Sequence, residues 1–332
     1  MRVPFVPVFF SAAIVAASIT GCDKLKGASA KTAFDAQAAM NYTKQTLDFG
    51  PRVPGTPAHD KTGDWIVAEM KKRTDSVMVQ SWTQTTAKGD KLPMRNIFAR
   101  FNPSNPQRVL YVTHWDTRPV ADEDPNLGNR ARPFPGANDG ASGVGMFLAL
   151  ADVFKKTPPA VGVDLLLVDG EDWGSFDPTD STNTSWPDAL FGSQYFVNHL
   201  PSPSYKPLYG VLWDMIADKD QQFYEEGNSV DSAPEVVNRV WQTAADLGYG
   251  DHFLKQAGDY ITDDHLPFLA KGMHVIDVLD LQYGPLPSGA GPQTQPNPNY
   301  HHTMGDTFDK LSAKSFQVVG DVAVTLVSPP KS

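Results

Sequence analysis

"GVDLLLVDGEDWG", residues 162–174, runs from an apolar segment straight into a cluster of acids. Val163, Leu165, Leu166, Leu167 and Val168 follow one another with only Asp164 between them, the pattern of a strand buried on both faces. Asp169, Glu171 and Asp172 come next. Two unit charges about 4 Å apart repel by roughly 4 kcal/mol at an effective dielectric of 20. A cation, or shared protons, must therefore accompany these carboxylates if the fold draws them together.

Outward from this stretch the chain alternates between the two periodicities. Residues 143–154 predict a long apolar helix, 189–200 a second, 208–218 a strand, 233–248 a helix with Pro234 in its first turn, 274–280 a strand and 311–327 a closing helix. Toward the N-terminus, Phe34, Ala38, Tyr42 and Leu47 predict an amphipathic helix over 34–49. The turn-rich "GPRVPGTPAHD" (50–60) follows, then a helix over 63–72 and strands at 76–82, 96–101 and 108–116. Branched runs without polar alternation imply an α/β fold, a three-layer αβα sandwich around a twisted, mixed and mainly parallel sheet. Residues 32–332 are expected to form one catalytic domain. Two long irregular stretches, 121–139 and 283–303, are the places where such a domain carries function.

The balance of 28 Lys and Arg against 38 Asp and Glu gives a net charge of −10, without a basic stripe, which argues against a nucleic-acid partner. A solvated surface accounts for most of that acidity. Behind Arg2 an apolar stretch ends in Ile19-Thr20-Gly21-Cys22. It falls short of the roughly 20 residues a membrane-spanning helix needs, and reads as a signal peptide over 1–21. Ile-Thr-Gly-Cys resembles the bacterial lipoprotein box, so Cys22 is expected to carry lipid, with 22–31 as a tether holding the protein on the extracytoplasmic, periplasmic side of a bacterial membrane. Cys22 is the only cysteine, which excludes a disulfide framework and a thiolate metal site.

Polar groups recur where the predicted strands end: His114 and Asp116, Asp169 to Asp172, Asp214, and Asp277 with Asp280. Ligand crevices of open α/β sheets lie at that edge. Asp139 stands in the glycine-rich "GANDGASGVG" (136–145) ahead of a helix, where it could equally be an N-cap. "ITDDHLPFL" (261–269) adds Asp263, Asp264 and His265, and "NYHHTMGDT" (299–307) adds His301, His302 and Asp306. Imidazoles and carboxylates without thiolates suit zinc in an open catalytic site. Within the adjacent pair Glu171 and Asp172, one residue can ligate while its neighbour serves as a base.

"RVPGT", "THWD", "GANDGASG", "DGED", "WDMIAD", "ITDDHLPF" and "HHTMGDT" occur in the order seen in the zinc exopeptidase-like superfamily, and together resemble its glutaminyl-peptide cyclotransferase branch, the animal-type glutaminyl cyclases and their bacterial relatives. The resemblance runs from about Phe34 to the C-terminus. It implies one Zn2+ held by Asp139, Asp172 and His302, Glu171 as catalytic acid and base, and Asp214 and Asp263 in an acidic network that shares protons with it. The implied substrates are peptides or proteins with N-terminal glutamine, converted to pyroglutamate with release of ammonia. Three positions depart from the animal enzymes: Asp172 replaces a glutamate, His301 a tryptophan of the substrate pocket, and Asp277 a histidine. Trp173, Trp186, Tyr283 and Tyr300 are candidates to complete the pocket wall alongside His301. An aminopeptidase of the same superfamily would bind two zincs, bridged by Asp139 and with His114 and Asp214 on the second; otherwise His114 is expected to hydrogen-bond nearby carboxylates. A lipid-anchored binding protein on an inactive scaffold is a third reading, against which Glu171 and His302 both stand.

Overall fold

The computed structural model describes residue 1 and residues 32–174 and 188–328. Cys22, the stretches expected to be a signal peptide and tether, and Trp186 lie outside the described residues. In chain order the elements are α1 (Ala36–Leu47), α2 (Pro57–Lys71), β1 (Ser76–Thr85), β2 (Lys91–Phe101), β3 (Arg108–His114), α3 (Ala141–Lys156), β4 (Gly162–Val168), α4 (Phe191–Asn198) and β5 (Tyr209–Asp214). They continue with β6 (Phe223–Glu225), α5 (Gly227–Ser232), α6 (Pro234–Asp246), β7 (Phe253–Ala257), α7 (His265–Ala270), β8 (Val275–Leu279) and α8 (Ala313–Val327).

Six strands form one sheet in the order β1-β2-β4-β3-β5-β8. The pairs β1/β2 and β2/β4 are antiparallel, whereas β3 runs parallel to β4 and β5, and β5 parallel to β8. β6 and β7 make a separate two-stranded sheet. This is the mixed sheet with flanking helices that the sequence predicts. β4 shows why its sequence lacks alternation. Val163, Leu165 and Leu167 pack with α1, α3, α6 and α8 in one apolar cluster, while Leu166 and Val168 pack with Phe196 of α4 and Phe268 of α7 in another. Asp164, on the second face, is compensated by Arg108 Nε (2.7 Å), Arg100 Nε (3.1 Å) and the Tyr205 hydroxyl (2.8 Å). A buried charge needs such partners.

Four details depart from the sequence reading. α2 begins at Pro57, not residue 63, because Thr56 caps it by accepting a hydrogen bond from His59 N (3.3 Å) and Pro57 occupies the first turn. β5 stops at Asp214, since Met215 adopts a left-handed φ of 45°. His265–Ala270 forms the short α7, which the sequence reading does not include, and α5, β6 and β7 carry no periodic signal long enough to predict them.

Candidate active site

The carboxyl ends of β3, β4 and β5 open onto one cleft of about 360 Å³, into which Asp139, Glu171, Asp214, Asp263 and His302 project. Arg52 organises its base. The guanidinium is fully buried and donates to the carbonyls of Trp115 (3.0 Å), Pro135 (2.8 Å), Gly136 (2.7 Å) and Asp139 (3.1 Å), tying the end of β3 to the turn before α3. Gly140 completes that turn with φ 84°; a Cβ there would stand 2.7 Å from Asp116 O, a conformation and an approach that favour glycine. Asp139 is not a helix cap: Gly140 holds the cap position of α3, with no side-chain hydrogen bond. Asp306 instead receives Asn138 N (2.8 Å) and Asp139 N (3.3 Å), and Tyr283 donates its hydroxyl to Asp306 (2.7 Å). Burial, followed by the charge of Asp139, pushes Asp306 up to about 7.

The acidic tripeptide of the opening stretch is shaped by another carboxylate. Asp116 accepts Glu171 N (3.1 Å) and Asp172 N (3.3 Å), so the turn after β4 is latched to the turn after β3. Asp172 faces His302, Oδ1 lying 3.2 Å from Nε2, and also accepts Arg118 N (3.1 Å) and its guanidinium (3.3 Å). His302 Nε2 lies 3.6 Å from Asp139 Oδ2. The backbone of His302 is held at φ 50°, unusual for a residue with a side chain and a mark of a functional constraint.

Ligand atoms of Asp139, Asp172 and His302 all lie within 4.8 Å of one another, and so do those of His114, Asp139 and Asp214. Asp139 Oδ2 is buried and accepts no hydrogen bond among the described residues. An orphaned carboxylate oxygen facing an imidazole nitrogen and a second carboxylate fits a divalent cation, and the nitrogen and oxygen donors suit zinc. A third group, Glu123, His301 and His302, lies at the mouth of the cleft.

Glu171 stands beside the first trio, not in it. Burial, with Asp263, Asp172 and Asp264 nearby, raises its proton affinity well above the ordinary carboxyl range, against the opposing pull of His114. Asp263 is likewise raised, by burial and then by Asp214 and Asp264. These acids can share protons at neutral pH. His114 Nε2 is 3.1 Å from both Asp139 Oδ1 and Asp214 Oδ1. Burial disfavours its charged form, but Asp214, with the carboxylates of Asp116 and Asp139 close by, overcomes this and holds it well above the ordinary histidine range.

The predicted pocket wall divides. His301 lines the cleft, stacked on His302 at 3.7 Å and 3.2 Å from Glu123; burial opposes its charge, yet Glu123 raises it to about 9. Tyr283 does not line the cleft. It is completely buried because its hydroxyl is needed at Asp306, and Tyr300 packs edge-on against it. Trp173 packs instead with Leu92, Met94 and Phe191, an apolar cluster apart from the cleft. Sequence reasoning missed the supporting roles of Arg52, Asp116, Arg118 and Asp306. The available signal was that Arg52, Asp116 and Asp306 sit inside "RVPGT", "THWD" and "HHTMGDT".

The model of "Peptidase family M28" matches residues 96–327. The solved glutaminyl cyclase of Bacteroides thetaiotaomicron superposes with a TM-score of 0.81 at 32% identity, covering 91% of this chain and 100% of that one. A leucine aminopeptidase precursor of the same organism gives 0.78 at 33% identity, with 90% and 98% covered. Aminopeptidase YwaD of Bacillus subtilis is 26% identical over 325 residues, 93% of this chain, which spans only 60% of that relative's length. The chain belongs to peptidase family M28, and it has the fold of the zinc exopeptidases.

Proposed function

We propose that this M28 enzyme is a zinc-dependent glutaminyl-peptide cyclotransferase that converts N-terminal glutamine of peptides or proteins to pyroglutamate. The observation that carries the reading is the placement of Glu171, a buried carboxyl of raised proton affinity, beside the convergent donors of Asp139, Asp172 and His302 in one cleft. Asp139, Asp172 and His302 would hold zinc, which when bound supplies Lewis acidity toward the side-chain amide carbonyl. Glu171 accepts a proton from the substrate α-amine. The amine nitrogen bonds to the side-chain amide carbon, the carbon–nitrogen bond of that amide breaks, and Glu171 returns its proton to the departing ammonia. Because nucleophile and electrophile belong to one residue, the cleft has mainly to hold them in the attacking geometry. Asp263, itself pushed up by burial and by Asp214, raises the proton affinity of Glu171 and so helps it return the proton it has taken. An extracytoplasmic location with a lipid on Cys22 accords with the leader sequence and is part of the same proposal.

One observation favours a second reading. His114, Asp139 and Asp214 form another trio of suitable ligands sharing Asp139 with the first, the arrangement a two-zinc aminopeptidase would use. Incubating zinc-loaded protein with one peptide beginning in glutamine and one beginning in leucine separates them. Ammonia released from the first, with every residue retained, is expected; free leucine from the second would overturn the cyclase reading.

A further inference from the structure

Behind the cleft wall lies a carboxylate that the proposed reaction does not use. Glu226 precedes α5, is 4% exposed, and accepts hydrogen bonds from separate pieces of chain. Its Oε1 receives Asn228 N (2.9 Å), Asn228 Nδ2 (2.8 Å) and Ile261 N (2.9 Å). Its Oε2 receives Ser229 N (2.7 Å) and Ser229 Oγ (2.7 Å), and lies 3.2 Å from His265 Nε2. Capping α5 would use the Asn228 and Ser229 donors alone. The hydrogen bond from Ile261 and the ion-pair contact with His265 reach the two ends of a five-residue segment whose first three members, Ile261, Thr262 and Asp263, form part of the cleft wall. Asp263 sits midway, two residues from each attachment.

We propose that Glu226 is a positioning residue, a fixed anion that clamps Ile261 and His265 to α5 and thereby holds Asp263 toward Glu171. Other contacts on the segment converge on the same end. Asn228 Nδ2 also donates to Ile261 O (3.0 Å), Leu266 N closes onto Asp263 O (3.0 Å), and Asp264 N donates to Asp263 Oδ1 (2.5 Å). His265 Nδ1 faces Asp277 Oδ2 at 3.8 Å, and Asp277 N donates to the same Ser229 hydroxyl that Glu226 holds, so β8 is joined to the clamp. The two sets of acids differ in kind. Burial works against ionised Glu226, but His265, Ile261 and Ser229 outweigh it and bring its pKa down to about 2, so it is charged throughout the working range. Asp263 and Asp277, with no comparable set of donors, are driven the other way by burial. Glu226 therefore stands outside the proton-sharing set and gives it a fixed frame.

This inference rests on the reading of Glu171 and Asp263 as the proton-carrying pair, and its test separates the two. In the full zinc-loaded chain, Glu226→Ala is expected to raise hydrogen exchange of the 261–265 amides at least about tenfold while leaving α3 and β4 unchanged. It should lower kcat per folded, zinc-containing molecule by about 10- to 100-fold, with KM within about threefold, as misplacement of a reacting group does. Glu226→Gln, which keeps an acceptor for Ile261 N, should recover part of both effects. A merely structural role would leave turnover per folded molecule at the wild-type value, and unchanged exchange at 261–265 would overturn the clamp whatever reaction the enzyme performs. Should Glu226→Ala not fold, Asn228→Ala removes the amide that bridges Glu226 and Ile261 O, and the same exchange and kcat criteria decide. Wild-type enzyme that releases leucine and forms no pyroglutamate would remove the proposed reaction without touching the exchange result.

Discussion

At the scale of single residues, Glu171 and Asp172 are chain neighbours set in different surroundings. Asp172 meets His302 and Arg118, whereas Glu171 is buried among other acids, which raises its proton affinity. Glu171→Gln keeps the shape and removes the proton carrier. The variant should retain zinc, since Asp139, Asp172 and His302 are untouched, and should lose turnover by about 10²- to 10⁴-fold; activity within tenfold of wild type, with metal content measured alongside, would reassign the role. Asp218 offers a test of pH dependence away from the cleft. Burial, with Asp220 nearby, raises its pKa from 3.8 to about 6 despite a hydrogen bond from Gly284 N (3.0 Å). The folded state then binds the proton more tightly than the unfolded state. The stabilisation is fully present below the unfolded value near 3.8 and is lost as pH rises through about 6. Asp218→Asn cannot ionise, so its Tm should gain on the wild type between pH 5 and pH 8, by an amount corresponding to about 1–3 kcal/mol. Parallel Tm–pH curves would show that Asp218 does not titrate in this range.

At the scale of elements, α3 is the lever that carries Asp139. Its first turn lies directly against β3, where a Cβ on Gly143 would overlap Thr113 Oγ1 and stand 2.8 Å from Thr113 Cβ. Gly143→Ala should therefore push α3 outward, costing about 1–3 kcal/mol in stability and weakening zinc retention, because Asp139 rides on the turn that opens the helix. Urea midpoints and metal content after dialysis report the two effects separately. Lower stability with full metal retention would mean that Arg52 and Asp306 hold the turn without α3. Elements of this kind were legible in the sequence because β4 and α3 are long, apolar and buried, so their periodicity survives tertiary context. Short ones were not. In α2 the residues that begin the helix, Thr56 and Pro57, are the same types that make turns, and the six-residue α7 hides a proline, Pro267, inside its acidic and apolar run. The candidate ligands could be named from motifs and strand ends. Their supports could not be, since Arg52 bonds to Asp139 across 87 positions of chain and nothing local announces that contact. Tyr283 is illegible for a related reason: an aromatic in a glycine- and proline-rich loop suits a pocket wall as well as a buried hydrogen-bond donor, and only Asp306 decides between them.

At the scale of the whole molecule, an acidic chain with net charge −10 concentrates several buried carboxylates at one rim of its sheet. The folded state is under electrostatic load there, and a cation that binds only the folded state relieves it. A ligand present at a thousand times its Kd adds about 4 kcal/mol of stability, so chelation should lower Tm and abolish turnover together, and added zinc should restore both. The stoichiometry of that restoration distinguishes the two enzyme readings. With one zinc on Asp139, Asp172 and His302, recovery is complete at about one equivalent, and His114 hydrogen-bonds Asp214 as it does in this structure. His114→Gln would then leave the metal content at about one per chain. With two zincs sharing Asp139, recovery requires about two equivalents and the same substitution reduces the content to about one. The cyclase reading predicts the first pattern by metal analysis of the purified protein; the second, accompanied by leucine release, would place this chain among the aminopeptidases of its family.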